Sequence, residues 1–115
     1  MVLAACGGGE DEGAVPTLTW YVFDEPSGAY DEAAGHSEQA GGRYRIEMAA
    51  LPSSADQQRE QLVRRLAAED ADIDIMGMDV IWTGEFAEAG WLLPWEDEAA
   101  AVTEGVPEPI VASAT

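Results

Sequence analysis

The sequence predicts an α/β fold of order βαβαβα around a parallel sheet, and three observations predict it. Short β-rich runs stand at 18–23 (LTWYVF), 43–50 (RYRIEMAA) and 73–78 (IDIMGM). Each is followed by a segment with helical apolar spacing, and Gly, Pro or Asp marks the joins. Alternating elements of this kind build a parallel sheet with right-handed crossovers.

Residues 7–16 (GGGEDEGAVP) are Gly-rich and acidic with almost nothing to bury, which predicts a flexible linker. The first strand, Leu18 to Phe23, is dense in aromatic and β-branched residues and is expected at the centre of the sheet. It stops at Asp24-Glu25-Pro26. A helix is expected from Ser27 to about Gln39, with Ala29, Tyr30, Ala33 and Ala34 as its apolar side and Gly41-Gly42 as its terminator. The second strand, Arg43 to Ala50, alternates with Tyr44, Ile46 and Met48 on one face and is closed by Leu51-Pro52.

Ser54 with Gln57 three residues on is a capping-box pattern, and it opens a helix through Ala68 with a stripe of Leu62, Val63, Leu66 and Ala67. Glu60 can pair with Arg64 at i,i+4. Ile73 to Met78 reads as a buried parallel strand that Asp79 ends. In the helix that follows, Thr83 is the expected N-cap, Glu85 and Glu88 favour the positive end of the dipole, and Gly90 is the C′ stop. A short helix is expected within 96–103, broken by Val106-Pro107-Glu108-Pro109.

The run MDVIWTGEFAEAGWLLPWED, residues 78–97, resembles a first-lobe motif of the extracellular solute-binding proteins of carbohydrate ABC importers, particularly the trehalose/maltose-type branch. The order of its parts carries the likeness: strand, aspartate, aromatic, helix, then AEAGWLLP. The resemblance implies a periplasmic-binding-protein-like lobe that binds a neutral disaccharide without a cofactor and delivers it to ABC permease subunits. Such proteins close two lobes around the ligand, and 115 residues hold only one domain. The chain is therefore expected to be part of an N-terminal lobe, residues 17–115, with the second lobe absent.

Leu3-Ala4-Ala5-Cys6 resembles the lipobox of bacterial lipoproteins, so Cys6 is the expected lipidation site. It is the only cysteine, which excludes an internal disulfide. Residues 1–16 then read as a truncated signal and lipobox followed by a tether. This implies attachment of the full-length protein, a monomer, to the outer face of the cell membrane, with no membrane contact except the lipid. The charged region and most of the apolar region of a complete signal peptide are absent from the leader.

Composition narrows the alternatives. Twenty-three acidic residues against five arginines give a net charge of −18, which repels nucleic-acid phosphates and anionic lipid. No apolar run is long enough to span a bilayer. The single histidine, His36, falls in a helical segment and reads as a surface residue; with one cysteine in the leader, neither a Cys/His pair nor a zinc cluster can be assembled. Asp72, Asp74 and Asp79 do not form a metal site, since Asp79 lies beyond the strand that carries the other two.

The expected binding residues are Asp24, Glu25, Asp79 and Trp82. Adjacent first and third strands would bring the three acids to one edge of the lobe. Carboxylates accept charge-assisted hydrogen bonds from sugar hydroxyls, and the Trp82 ring would cover the apolar face of a pyranose. An α/β hydrolase or phosphotransferase using Asp24 or Asp79 is the alternative in another class, and a nonfunctional truncated reading frame is a third. An enzyme would need a base or nucleophile pair that the sequence does not offer.

Overall fold

The computed structural model of the protein describes residues 13–39 and 41–115. Its architecture is α/β: β1 (Thr17–Phe23), α1 (Ala29–Gln39), β2 (Arg45–Leu51), α2 (Ala55–Ala67), β3 (Ile75–Met76), a 3₁₀ turn (Val80–Trp82), α3 (Thr83–Glu88), α4 (Ala99–Val102) and α5 (Glu108–Ser113). The sheet has three parallel strands in the order β2-β1-β3. The central position expected for β1 is the observed one.

Alternation along β1 sends successive side chains to opposite faces. On one face Trp20 meets Tyr30 of α1, with ring centroids 5.3 Å apart at 62°. On the other, Tyr21 joins Leu51, Leu62, Trp82 and Phe86 in the buried core, with Val63, Leu66, Met76 and Trp91 packed around it. So α1 covers one face of the sheet while α2 and α3 cover the other. Of the apolar side expected for α1, only Tyr30 and Ala34 are partly buried, whereas Ala29 and Ala33 are exposed.

The stripe expected on α2 is present in Leu62, Val63 and Leu66, but Ala67 is exposed. Ser54 occupies the N-cap position with extended backbone, yet its side chain makes no capping bond, so the expected capping box is not formed. The Arg64–Glu60 pair forms at 2.5 Å on the solvent side. On β2, the buried residue is Leu51 on the face opposite Tyr44, Ile46 and Met48, because the core lies under α2 rather than under α1.

Two helix ends show how differently the same motif can be filled. After α3, the Gly90 amide bonds the Ala87 carbonyl and the Trp91 amide bonds the Phe86 carbonyl, both at 3.0 Å, with Gly90 at φ 75°. Trp91 also sets its ring edge-to-face on Phe86 at 5.4 Å, the apolar contact this terminator favours. Gly90 thus acts as expected. After α2 the same pair of bonds runs from Glu69 to Leu66 and from Asp70 to Arg65, but Glu69 holds the left-handed position at φ 54°. Asp70 then accepts from Arg65 at 2.6 Å and from the Asp72 amide at 3.0 Å. The Asp72 amide and the Arg65 guanidinium hold the Asp70 carboxyl below its ordinary value. Its stabilising effect is present above that ordinary value and lost as pH falls through the lowered one.

The third strand is shorter than expected, two residues rather than 73–78, and is tied to β1 at both ends. The Thr19 amide donates to Asp74 Oδ2 at 2.8 Å, and the Gly77 amide donates to the Tyr21 carbonyl at 2.8 Å. Beyond Leu92 the chain packs loosely: Leu93 is 93% exposed and Trp95 66%. The Pro107-Glu108-Pro109 segment, expected only to break a helix, instead starts α5, because proline suits the first turn where no amide bond is lost.

Glycine at 77 and glutamate at 69 should respond in opposite directions to substitution. A Cβ on Gly77 would stand 2.8 Å from Cγ2 of buried Val22. Gly77→Ala should therefore destabilise by about 1–3 kcal/mol. Glu69→Gly, which relieves a left-handed side chain, should stabilise by about 1 kcal/mol. Urea unfolding of both variants against the parent checks the pair, and equal midpoints for all three would show that neither backbone position is strained.

Candidate functional site

The carboxyl ends of β1 and β3 lie side by side. Their register pairs Trp20 with Ile75 and Tyr21 with Met76. Carried past the ends of the ladder, the same register sets Asp24 opposite Asp79. Both aspartates are exposed, and Glu25 is half-buried. The strands that precede the two aspartates are therefore neighbours in the sheet.

The side chains differ in how far they are already engaged. Glu25 accepts from the Ser27 amide at 3.1 Å through Oε1 and from the Ser27 hydroxyl through Oε2, and the Ser27 Oγ in turn accepts from the Ala29 amide at 3.3 Å. It organises the loop that starts α1. Asp79 Oδ1 accepts from the Ile81 amide at 3.1 Å, so Asp79 caps the 3₁₀ turn. Thr83, the expected N-cap, is itself helical, because the turn begins four residues earlier than its hydroxyl could serve. Asp24 has no hydrogen-bond partner among the described residues, and its carboxylate is open to a ligand.

Trp82 does not belong to this edge. It is 5% exposed and stacks on Phe86 with centroids 6.1 Å apart and planes at 23°. The 3₁₀ turn rotates the ring inward, onto the face that α2 and α3 cover. The reading of Trp82 as a surface for a sugar ring is corrected: it is a core residue. Glu88 likewise stands in the last turn of α3, away from the positive end of its dipole. Glu85 is in the first turn and bonds Arg59 of α2, Nε to Oε2 at 2.9 Å.

A cleft of about 180 Å³ opens on the α1 side of the sheet, where Asp24 and Glu25 meet Tyr30, Asp31, Val22 and Met48. Asp79 and Trp82 do not line it. Tyr30 and Met48 were read from the sequence only as members of a helix side and a strand face, and Asp31 was not singled out. Tyr30 and Asp31 carried a usable signal: they occupy the first turn of the helix that follows a strand end, where ligands of parallel sheets are met. Met48 carried none, since only the pairing of β2 with β1 brings it there.

Among the described residues no group of three or more His, Cys, Asp or Glu is placed to hold a metal ion. Asp74 is bonded to the β1 backbone and Asp79 to its own turn. His36 is exposed on α1. Cys6 lies outside the described residues. Among those residues, no helix is long and apolar enough to cross a membrane. No protein-family model matches the chain.

Substitution separates the two residues after β3. Trp82→Ala should lower stability by about 3–5 kcal/mol, the range for removing a buried aromatic. Asp79→Ala should cost about 1 kcal/mol, the value of a cap. Thermal melts monitored by near-UV circular dichroism test both, and a Trp82→Ala protein as stable as the parent would return the indole to the surface.

Proposed function

We propose that the chain is part of the N-terminal lobe of an extracellular solute-binding protein, which captures a neutral disaccharide of trehalose or maltose type for an ABC importer. The role is binding rather than catalysis. The observation that carries this reading is the strand order β2-β1-β3. The chain leaves β1 towards one side for β2 and crosses to the other side for β3, so the loops after β1 and β3 part at a topological switch point. Open α/β sheets bind ligands in the crevice outside such a point. Asp24 and Asp79 follow the two strands concerned.

The chemistry at that edge suits hydroxyl donors. Asp24 is uncommitted, and Asp79 keeps Oδ2 without a donor among the described residues. A second lobe, closing from the opposite side, would supply the remaining partners and shield these carboxylates from water. On this reading the fold is the periplasmic-binding-protein lobe, and the permease meets the closed, liganded form. Cys6 would hold the protein at the outer face of the membrane through a lipid.

Calorimetric titration of the protein with millimolar trehalose and maltose tests the reading. Asp24→Ala should weaken binding by about 1.5–3 kcal/mol, roughly ten- to more than a hundredfold. Its melting temperature should barely move, since the side chain is exposed. A folded parent that binds neither sugar would remove the reading. The anchor has its own test: a precursor with a complete signal peptide should take up labelled fatty acid, and Cys6→Ser should abolish the label. Equal membrane retention of both forms would remove the lipid.

A further inference from the structure

The cleft on the α1 side contains an aromatic ring beside the Asp24 carboxylate. Tyr30 lies in the first turn of α1 and lines that cleft with Asp24, Glu25 and Asp31. Its ring is held from two directions, 5.3 Å from Trp20 at 62° and 5.6 Å from Phe23 at 88°. Edge-to-face contacts of this kind favour one ring orientation. A ring oriented before a ligand arrives loses little freedom on binding. The residue is only half-buried, so part of its surface remains open.

The charges around the ring are of one sign. Asp24, Glu25 and Asp31 line the cleft, and no arginine does. Glu25 is occupied by Ser27. That leaves Asp24 and Asp31 to accept from a ligand, and a ligand carrying its own negative charge would meet repulsion without any compensating cation. The volume, about 180 Å³, is below the roughly 300–1,000 Å³ of pockets that enclose drug-sized molecules. It suits one ring of a sugar rather than a disaccharide.

We infer that Tyr30, in the role first read for Trp82, is the aromatic platform of the binding cleft, and that the cleft takes a single neutral sugar ring. The apolar C–H face of that ring lies against Tyr30, and its hydroxyls donate to Asp24 and Asp31. This inference rests on the sugar-binding reading above. It adds the residue that faces the ligand, the number of rings engaged, and the exclusion of anionic sugars.

Two-dimensional NMR of the isotope-labelled chain, titrated with methyl α-glucoside, trehalose and glucuronate, reads binding residue by residue. The two neutral ligands should shift the Tyr30 ring signals and the Asp24 and Asp31 amides, with similar dissociation constants because one ring is engaged in each. Glucuronate should bind at least roughly tenfold more weakly. Tyr30→Phe should keep the affinity, and Tyr30→Leu, which retains bulk but not a flat face, should lower it roughly two- to tenfold. Because Tyr30 also packs on Trp20, an unchanged β1 amide pattern is the check on folding, and the ring shifts in the parent test the contact even if the leucine variant unfolds. Shifts confined to the loop around Asp79 would overturn the inference while leaving sugar binding intact. No shift with either neutral sugar would overturn both, and glucuronate binding as tightly as the glucoside would overturn the exclusion of anions.

Discussion

Strand β1 gives up both of its edges to parallel partners, and a strand placed in this way needs cover on both faces. The arrangement of the helices follows from that constraint. Trp20 is covered from α1, while Tyr21 is covered from α2 and α3 and carries the Arg65 guanidinium 5.0 Å from its ring centroid. The two crossovers run in opposite directions, the first from β1 to β2 and the second from β2 back past β1 to β3. Crossovers of one hand that run in opposite directions must lie on opposite faces, which is the arrangement observed.

The acidic residues divide by what they do for the backbone. Asp74 closes the β1–β3 pairing where the short ladder leaves the Thr19 amide without a carbonyl, and Asp79 caps the turn that follows. Glu25 shapes the entrance to α1, and Asp70 secures the exit from α2. These carboxylates are fixed by folding, so they bring local order to the strand ends. Asp24 stands among them without such a task.

Arg59, Arg64 and Arg65 form ion pairs with acids, and the pairs differ in consequence. Arg64–Glu60 sits on one exposed helix face and contributes at most a few tenths of a kcal/mol. Arg59–Glu85 joins α2 to α3, and Arg65–Asp70 joins the end of α2 to the loop that enters β3. The latter two link successive elements on the core side of the sheet. With a net charge of −18 the rest of the surface repels itself, and the apolar cluster around Leu62 and Phe86 has to outweigh that repulsion.

Sequence pattern alone determined the α/β class, the three strand positions, the central place of β1, the stop at Gly90 and the Glu60–Arg64 pair. Each depends on local spacing or on the conformational range of one residue, and both are written in the chain. It also put Asp24, Glu25 and Asp79 at the strand ends, because parallel topology fixes which ends are neighbours. Tertiary structure decided the rest. Trp82 was open to a surface reading or a core reading, and composition cannot decide between them; a 3₁₀ turn capped by Asp79 buried it. Leu51 became core and Met48 became cleft wall because α2 and α1 lie on opposite faces, a choice that period-2 alternation leaves open. Tyr30 met Asp24 only when α1 docked on Trp20 and Phe23, and no spacing within the sequence encodes a distance between a strand end and the helix packed above it.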